Sequence, residues 1–144
     1  MDWLTLGMWW HLVKRALNYV PAQKGVLEIG FGPGKLHAEL ARCWSWCAGL
    51  DKAARMCSYA QHRVQRRGLV TRLAQGSLFA LAHHTDAFDV VVSTFAFVRF
   101  PRGADAMREM VRVAIGCPLT TIPPGLFGLT CENRWEIFYT ISVS

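Results

Sequence analysis

Three glycines at alternate positions, Gly30, Gly32 and Gly34, follow the short apolar run Val26-Leu27-Glu28-Ile29 in the stretch VLEIGFGPGKL. A helical pattern begins at Lys35. Strand, glycine turn and helix in that order bring a nucleotide-like ligand against bare backbone. Asp51 closes the next apolar run, Ala48-Gly49-Leu50. An acid about 20 residues beyond such glycines is where a ribose hydroxyl pair is held. The glycines and the acid in register are far more specific than either alone.

The spacing also says which ligand fits. A dinucleotide turn reads Gly-x-Gly-x-x-Gly, and its third glycine would fall where this chain has Lys35. Pro33 removes one backbone N–H donor, which makes a poorer cradle for a pyrophosphate but a rigid turn beside a ligand without phosphates. S-adenosylmethionine is such a ligand, with an adenosine to stack, a ribose diol to hold and an amino-acid tail to place near the glycines. Both features count against a nicotinamide-dependent oxidoreductase.

These residues resemble the class I S-adenosylmethionine-dependent methyltransferases, in particular the small type 11 methyltransferase domain, from about Gly25 to Val113. VLEIGFGPG is similar to the family's first motif, and AGLD to its second strand and ribose-binding acid. Gln75 to Leu81 sits where the family has a Gly-Asp-Ala-like turn beside the adenine. Phe88 to Phe97 is similar to the fourth strand and the loop facing the substrate, and Met107 to Val113 to the helix before the fifth strand.

The resemblance implies roles. Glu28 and Gly30 would lie by the methionine end of the cofactor, and Gly32 and Gly34 would permit close backbone approach. Asp51 would accept from the ribose hydroxyls, Ser77 and Leu78 would flank the adenine, and Ser93 and Phe95 would border the transferring methyl. Phe31 and Lys52, beside the turn and the acid, complete the expected cofactor-binding set. Ser77 replaces the family's common Asp with an uncharged hydroxyl, a weaker partner for adenine. Where the family often has His-His after the fourth strand, this chain reads Phe97-Val98-Arg99-Phe100, so no role of that histidine carries over. His83, His84 and Arg99 fall in loops near the expected crevice, and none is assigned as a base.

The elements that must position these residues are read as helix over 3–19, strand 25–30, helix 34–44, strand 46–50, helix 52–67, strand 70–75, strand 87–94 and helix 102–115, with 76–86 as loop. Short βα alternation implies an α/β fold, a Rossmann-like doubly wound and mostly parallel sheet. Within 144 residues it has fewer strands than the full seven-stranded methyltransferase fold. Ligands bind at the carboxyl ends of such strands, and Gly30, Asp51, Gln75 and Ser93 all fall there.

The two ends are less regular. Residues 1–20 form an apolar pattern carrying Trp3, Trp9 and Trp10, too short before Lys14 and Arg15 to span a bilayer. They cap the sheet or the cofactor site, or they touch a membrane interface, which would favour a lipid-like substrate. The tail, 114–144, is broken by Pro118, Pro123, Pro124 and several glycines. Leu126 to Thr130 reads as a displaced fifth strand and Trp135 to Val143 as a final one; equally, the tail lies outside the family pattern.

Composition sets the remaining bounds. The length gives one domain over 1–144. A hydrophobic fraction of 52% indicates a packed core rather than disorder. The net charge of +6 gathers around His62-Arg63-Val64-Gln65-Arg66-Arg67, which lacks interleaved aromatics and reads as a solvated helix face, so no nucleic acid partner is expected. Five cysteines without framework spacing read as reduced thiols of a cytoplasmic protein, and no metal site is expected. The expected activity is methyl transfer from S-adenosylmethionine to a small-molecule or lipid-like acceptor. The alternative is a shortened module that binds cofactor weakly or serves a partner. Under either reading an exposed sheet edge invites self-association.

Overall fold

The structure, a computed structural model, describes residues 25–43, 46–94, 103–115, 119–122 and 126–127. Strands β1 (Gly25–Ile29), β2 (Trp46–Asp51), β3 (Arg72–Gln75), β4 (Val90–Thr94), β5 (Leu119–Ile122) and β6 (Leu126–Phe127) alternate with helices α1 (Lys35–Cys43), α2 (Ala54–Arg66) and α3 (Gly103–Val113). The sheet order is β3-β2-β1-β4-β5-β6. The first five strands run parallel and β6 pairs antiparallel with β5. The chain therefore winds outward from β1 in one direction and from β4 in the other, and the reversal lies between β1 and β4.

Side chains that alternate along each strand build two cores. Leu27, Ile29, Ala48, Leu50 and Val91 face α3, where Ala106, Met110 and Val113 recur at helical spacing. Val26, Cys47, Val90 and Val92 face Leu36 and Leu40 of α1. Strands buried on both faces explain why β1 and β4 read as continuous apolar runs rather than alternating ones. Helix α2 joins the α1 side through Ala60 and Val64.

The expected elements lie within two or three residues of the observed ones. The tail differs more. The parallel strand beside β4 is Leu119–Ile122, before Pro123 and Pro124 rather than after them, with Val92 opposite Leu119 and Thr94 opposite Thr121. The run Thr120-Thr121-Ile122 is β-branched throughout, which suits a strand, whereas the prolines offer no N–H to a ladder. Of the expected displaced strand, Leu126–Phe127 is the antiparallel edge, and 128–130 lie outside the described residues. The helix over 3–19, Phe95, Arg99 and the strand over 135–143 lie outside the described residues.

Gly34 shows how tightly the two helices of one face are set. Its φ is +75°, and a Cβ there would stand 2.7 Å from the Ala60 Cβ of α2 and 2.9 Å from its Cα. An L side chain at this position meets both a left-handed backbone penalty of about 1–2 kcal/mol and a clash with backbone. Gly34→Ala is expected to lower unfolding stability by more than about 1 kcal/mol in urea titration.

Candidate functional site

The carboxyl ends of β1, β2, β3 and β4 lie side by side, with Ile29 opposite both Leu50 and Ser93, and Asp51 opposite Gln75. Beyond Ile29 the chain turns at once. Gly30 (φ +70°), Gly32 (+52°) and Gly34 (+75°) all adopt left-handed backbone. The Gly34 N–H donates to the Phe31 carbonyl at 3.0 Å, closing the turn, and the Gly34 carbonyl accepts from Ala38 N–H at 3.0 Å to open α1.

Asp51 holds this end of the sheet together. One carboxylate oxygen accepts from Gly32 N–H at 2.9 Å, and the other from Ala53 N–H at 2.9 Å at the entrance to α2. Ala53 offers no capping side chain, so Asp51 supplies the negative group that a helix N-terminus favours. The Asp51 main-chain carbonyl accepts from Gly76 N–H at 3.0 Å, which fixes the exit from β3. An ionised carboxylate has about four lone-pair sites. Two are used here, so one remains on each oxygen, enough for a pair of adjacent hydroxyls.

Two further features suit a ligand. Among the described residues nothing lies within 4 Å of where a Cβ on Gly32 would stand, so they leave that side of the turn open. The Ser93 hydroxyl, at the end of β4 beside the turn, is fully buried and has no hydrogen-bond partner among the described residues. A buried hydroxyl without a partner costs on the order of 1–3 kcal/mol and calls for an explanation, of which a bound polar group is one.

The other expected site residues fall elsewhere. Leu78 turns into the core beneath β2, against Leu50 and Leu81, leaving the main chain of Gly76 and the exposed Ser77 along the rim. Ser77 spends its hydroxyl on the Phe79 N–H at 3.2 Å. Lys52 is exposed, and its carbonyl accepts from the Gln75 amide at 3.1 Å. Gly34 has its Cβ side closed by Ala60, so it serves helix packing rather than an open approach. Phe31 is buried against the His37 ring, centroids 5.7 Å apart. The loop carrying Ser77 is pinned from α3. Arg112 donates to the carbonyls of Leu81 (3.0 Å) and His83 (2.7 Å), and Glu109 accepts from Leu81 N–H at 2.9 Å. His83 titrates below its usual range, because burial and then His84 and Arg112 oppose its charge.

Glu28 does not open to the crevice. It is 1% exposed and meets Nδ1 of the fully buried His37 at 3.1 Å. The Thr71 hydroxyl donates to the Cys47 carbonyl at 2.8 Å, so it accepts from His37 Nε2–H at 2.7 Å. One proton is then shared between Nδ1 and the Glu28 carboxyl. Burial raises the Glu28 pKa against the pull of His37. Burial works against the charge on His37, but hydrogen bonds to the Cys47 sulfur and to Glu28 outweigh it and push the imidazole up to about 9. Both shifts keep the shared proton in place. Sequence reasoning missed this cluster. The available signal was an acid inside the otherwise apolar β1, which requires a buried partner.

Residues 26–114, more than half of the chain, match the family model described as a methyltransferase domain. The chain belongs to the methyltransferase domain family. A curated relative, an uncharacterised methyltransferase (YcgJ) of Bacillus subtilis, is 30% identical over 93 residues, which is 64% of this chain and 37% of the relative. The crystal structure of YcgJ superposes with a TM-score of 0.68 at 27% identity, covering 76% of this chain and 47% of that one. A SAM-dependent methyltransferase of Methanosarcina mazei superposes with a TM-score of 0.65 at 22% identity, over 74% and 55% of the two chains. The [4+2]-cyclase SpnF shares the fold with a TM-score of 0.71 at 18% identity, over 76% and 42%. This chain thus spans a little over a third of that curated relative and about half of these structures. The Rossmann-like, mostly parallel sheet expected from the sequence is the fold they share, with fewer strands than seven among the described residues.

The Glu28–His37 pair makes a definite claim about pH. The folded-state pKa of His37 lies above its unfolded value of 6.5, so the folded chain binds more protons than the unfolded one through this window. The stabilisation is complete below about pH 6.5 and is lost as pH rises toward about 9, up to roughly 3 kcal/mol in all. Urea titrations across that range will show it. His37→Leu strands Glu28 as an unpaired buried acid and is expected to cost about 3–5 kcal/mol near neutral pH.

Proposed function

We propose that the chain is an S-adenosylmethionine-dependent methyl-transfer domain that holds its cofactor across the carboxyl ends of β1, β2 and β4. The carrying observation is the Asp51 carboxylate at the open side of the glycine turn, with one acceptor site left on each oxygen. Membership of the methyltransferase family and the likeness to S-adenosylmethionine-dependent enzymes support this reading.

Asp51 accepts from the two ribose hydroxyls, a pair of charge-assisted bonds. The bare backbone at Gly32 admits the ligand, and Gly30 turns β1 away from it. The Ser93 hydroxyl gains a partner in the polar groups near the transferring methyl. Ser77 borders the adenine with its main chain, and the Leu78 side chain supports that rim from below. Glu28 acts from beneath, its carboxyl committed to His37, so it fixes the exit of β1 toward the methionine end. When bound, the cofactor supplies a methyl group already activated by its sulfonium, so the protein's task is alignment and exclusion of water. A general base is optional for that step, according to whether the acceptor atom carries a proton, and no side chain is assigned to it. The acceptor is a small or lipid-like molecule, and the tryptophan-rich residues 1–20 are proposed as a peripheral membrane contact. Among the described residues no helix is long and apolar enough to cross a membrane.

A second reading is a methyltransferase-fold module that binds cofactor weakly or serves a partner protein. The observation that favours it is the uncharged Ser77 where similar proteins commonly carry an acid, its hydroxyl already accepting from Phe79 N–H at 3.2 Å. SpnF, a [4+2]-cyclase by description, illustrates that this fold does not fix one chemistry. The edge strand β3, mostly exposed, is where self-association would occur.

Calorimetric titration of S-adenosylmethionine separates the readings. Binding to the folded chain, abolished by Asp51→Ala and weakened about 10- to 100-fold by Asp51→Asn, is expected. Gly32→Ala, which places a methyl group on the open side, is expected to weaken binding at least about tenfold while costing only the left-handed penalty of about 1–2 kcal/mol in stability. Absence of binding to a folded chain would favour the module, and preference for a nicotinamide dinucleotide would overturn both.

A further inference from the structure

We propose that the groove between the glycine turn and the outer face of α2 is a second ligand site, which takes a phosphate-type oxyanion. The groove has a volume of about 380 Å³ and is lined by Pro33, Tyr59, His62, Arg63, Arg66 and Arg67. That volume falls within the range of about 300–1,000 Å³ usual for small-molecule sites. Pro33 alone connects it to the cofactor crevice; Asp51, Gly32 and Ser93 do not line it.

Tyr59, His62, Arg63 and Arg66 fall at the spacing of one helical face. A bland reading exists, because cations near a helix C-terminus are favourable on their own. Three observations go beyond it. First, α2 carries no acid at all, and no acid among the described residues lines the groove. Like charges three and four residues apart then repel, with nothing on the helix to relieve them. Second, the neighbouring acid, Glu39, is already committed. It accepts from Arg42 at 3.1 Å and from Arg67 at 2.9 Å. Third, Arg63 is set in place by donating its Nε–H to the Pro33 carbonyl at 2.9 Å. This bond adds no negative charge and orients the guanidinium on the groove wall.

Arg63 and Arg66 therefore form no ion pair among the described residues. Two uncompensated guanidinium groups match the double negative charge of a phosphate, and the planar fork of arginine fits its oxygens in pairs. Tyr59 adds a hydroxyl and a ring that is 48% exposed, with the Arg55 guanidinium 5.7 Å from its centroid. The shared chemistry is a phosphate, carried either by a small soluble molecule or by a lipid headgroup.

The test uses the full chain at low salt and contains no S-adenosylmethionine, so it stands or falls apart from the cofactor reading. Inorganic pyrophosphate is titrated by calorimetry, and phosphatidylcholine vesicles with and without phosphatidic acid are tested by co-sedimentation. Pyrophosphate binding that falls at least about tenfold in Arg66→Gln, and is unchanged in Arg108→Gln on α3, is the expected result for a soluble ligand. Sedimentation only with phosphatidic acid, lost in Arg66→Gln, would assign the same site to a headgroup. Arg66 is exposed, so its variant folds; Arg63→Lys, which keeps the charge and loses the fork, should weaken either interaction as well. Binding of neither probe, or binding undiminished in Arg66→Gln, would overturn the proposal.

Discussion

The carboxylate of Asp51 is the interaction on which this end of the molecule depends. A single side chain at the end of β2 receives the glycine turn through Gly32 N–H and the start of α2 through Ala53 N–H, and the same residue's carbonyl receives Gly76 after β3. Three separate segments are fixed by one residue. The constraint is electrostatic in origin: an anion sits among main-chain N–H groups that a turn and a helix start leave without partners. A ligand with two hydroxyls would add to this set of bonds without breaking it, since half of the carboxylate's acceptor sites remain.

Below that surface the support is polar as well as apolar. Gly49, in the middle of β2, leaves room for Phe31 and His37; a Cβ there would stand 2.7 Å from the Phe31 ring and 2.8 Å from the His37 ring. His37 in turn joins α1 to β1 through Glu28 and to the approach of β3 through Thr71. The pair is buried, so its net contribution over an apolar substitute is small, but loss of one member is costly. Its location immediately under the glycine turn fixes the first turn of α1 relative to the strand whose end the ligand must meet.

Much of this was legible in the sequence, and the reasons differ by residue. The glycine turn and Asp51 were readable because left-handed backbone favours glycine and an acid stands at a fixed separation beyond it, at the end of the second strand. The parallel order of β1 to β4 followed from apolar runs alternating with helical patterns. The pairing of Glu28 with His37 was not readable, because it depends on how α1 lies on the sheet. Leu78 and Gly34 show the same limit. Each stands at the position its motif implies, but whether its side chain faces the crevice, the core or a neighbouring helix is decided by packing. Likewise the prolines of the tail marked a break correctly, while the short β-branched run before them, Thr120 to Ile122, became the strand.

The proposed site places a ligand with a ribose diol where β1, β2 and β4 end, on the open side of the glycine turn. Amide NMR of the full chain on addition of S-adenosylhomocysteine tests it most directly. The signals of Gly32, Ala53, Gly76 and Ser93 are expected to move together and saturably. That placement is contradicted if the folded chain gives no such response, or if the shifts gather on the outer face of α2 around Tyr59 and Arg66 instead.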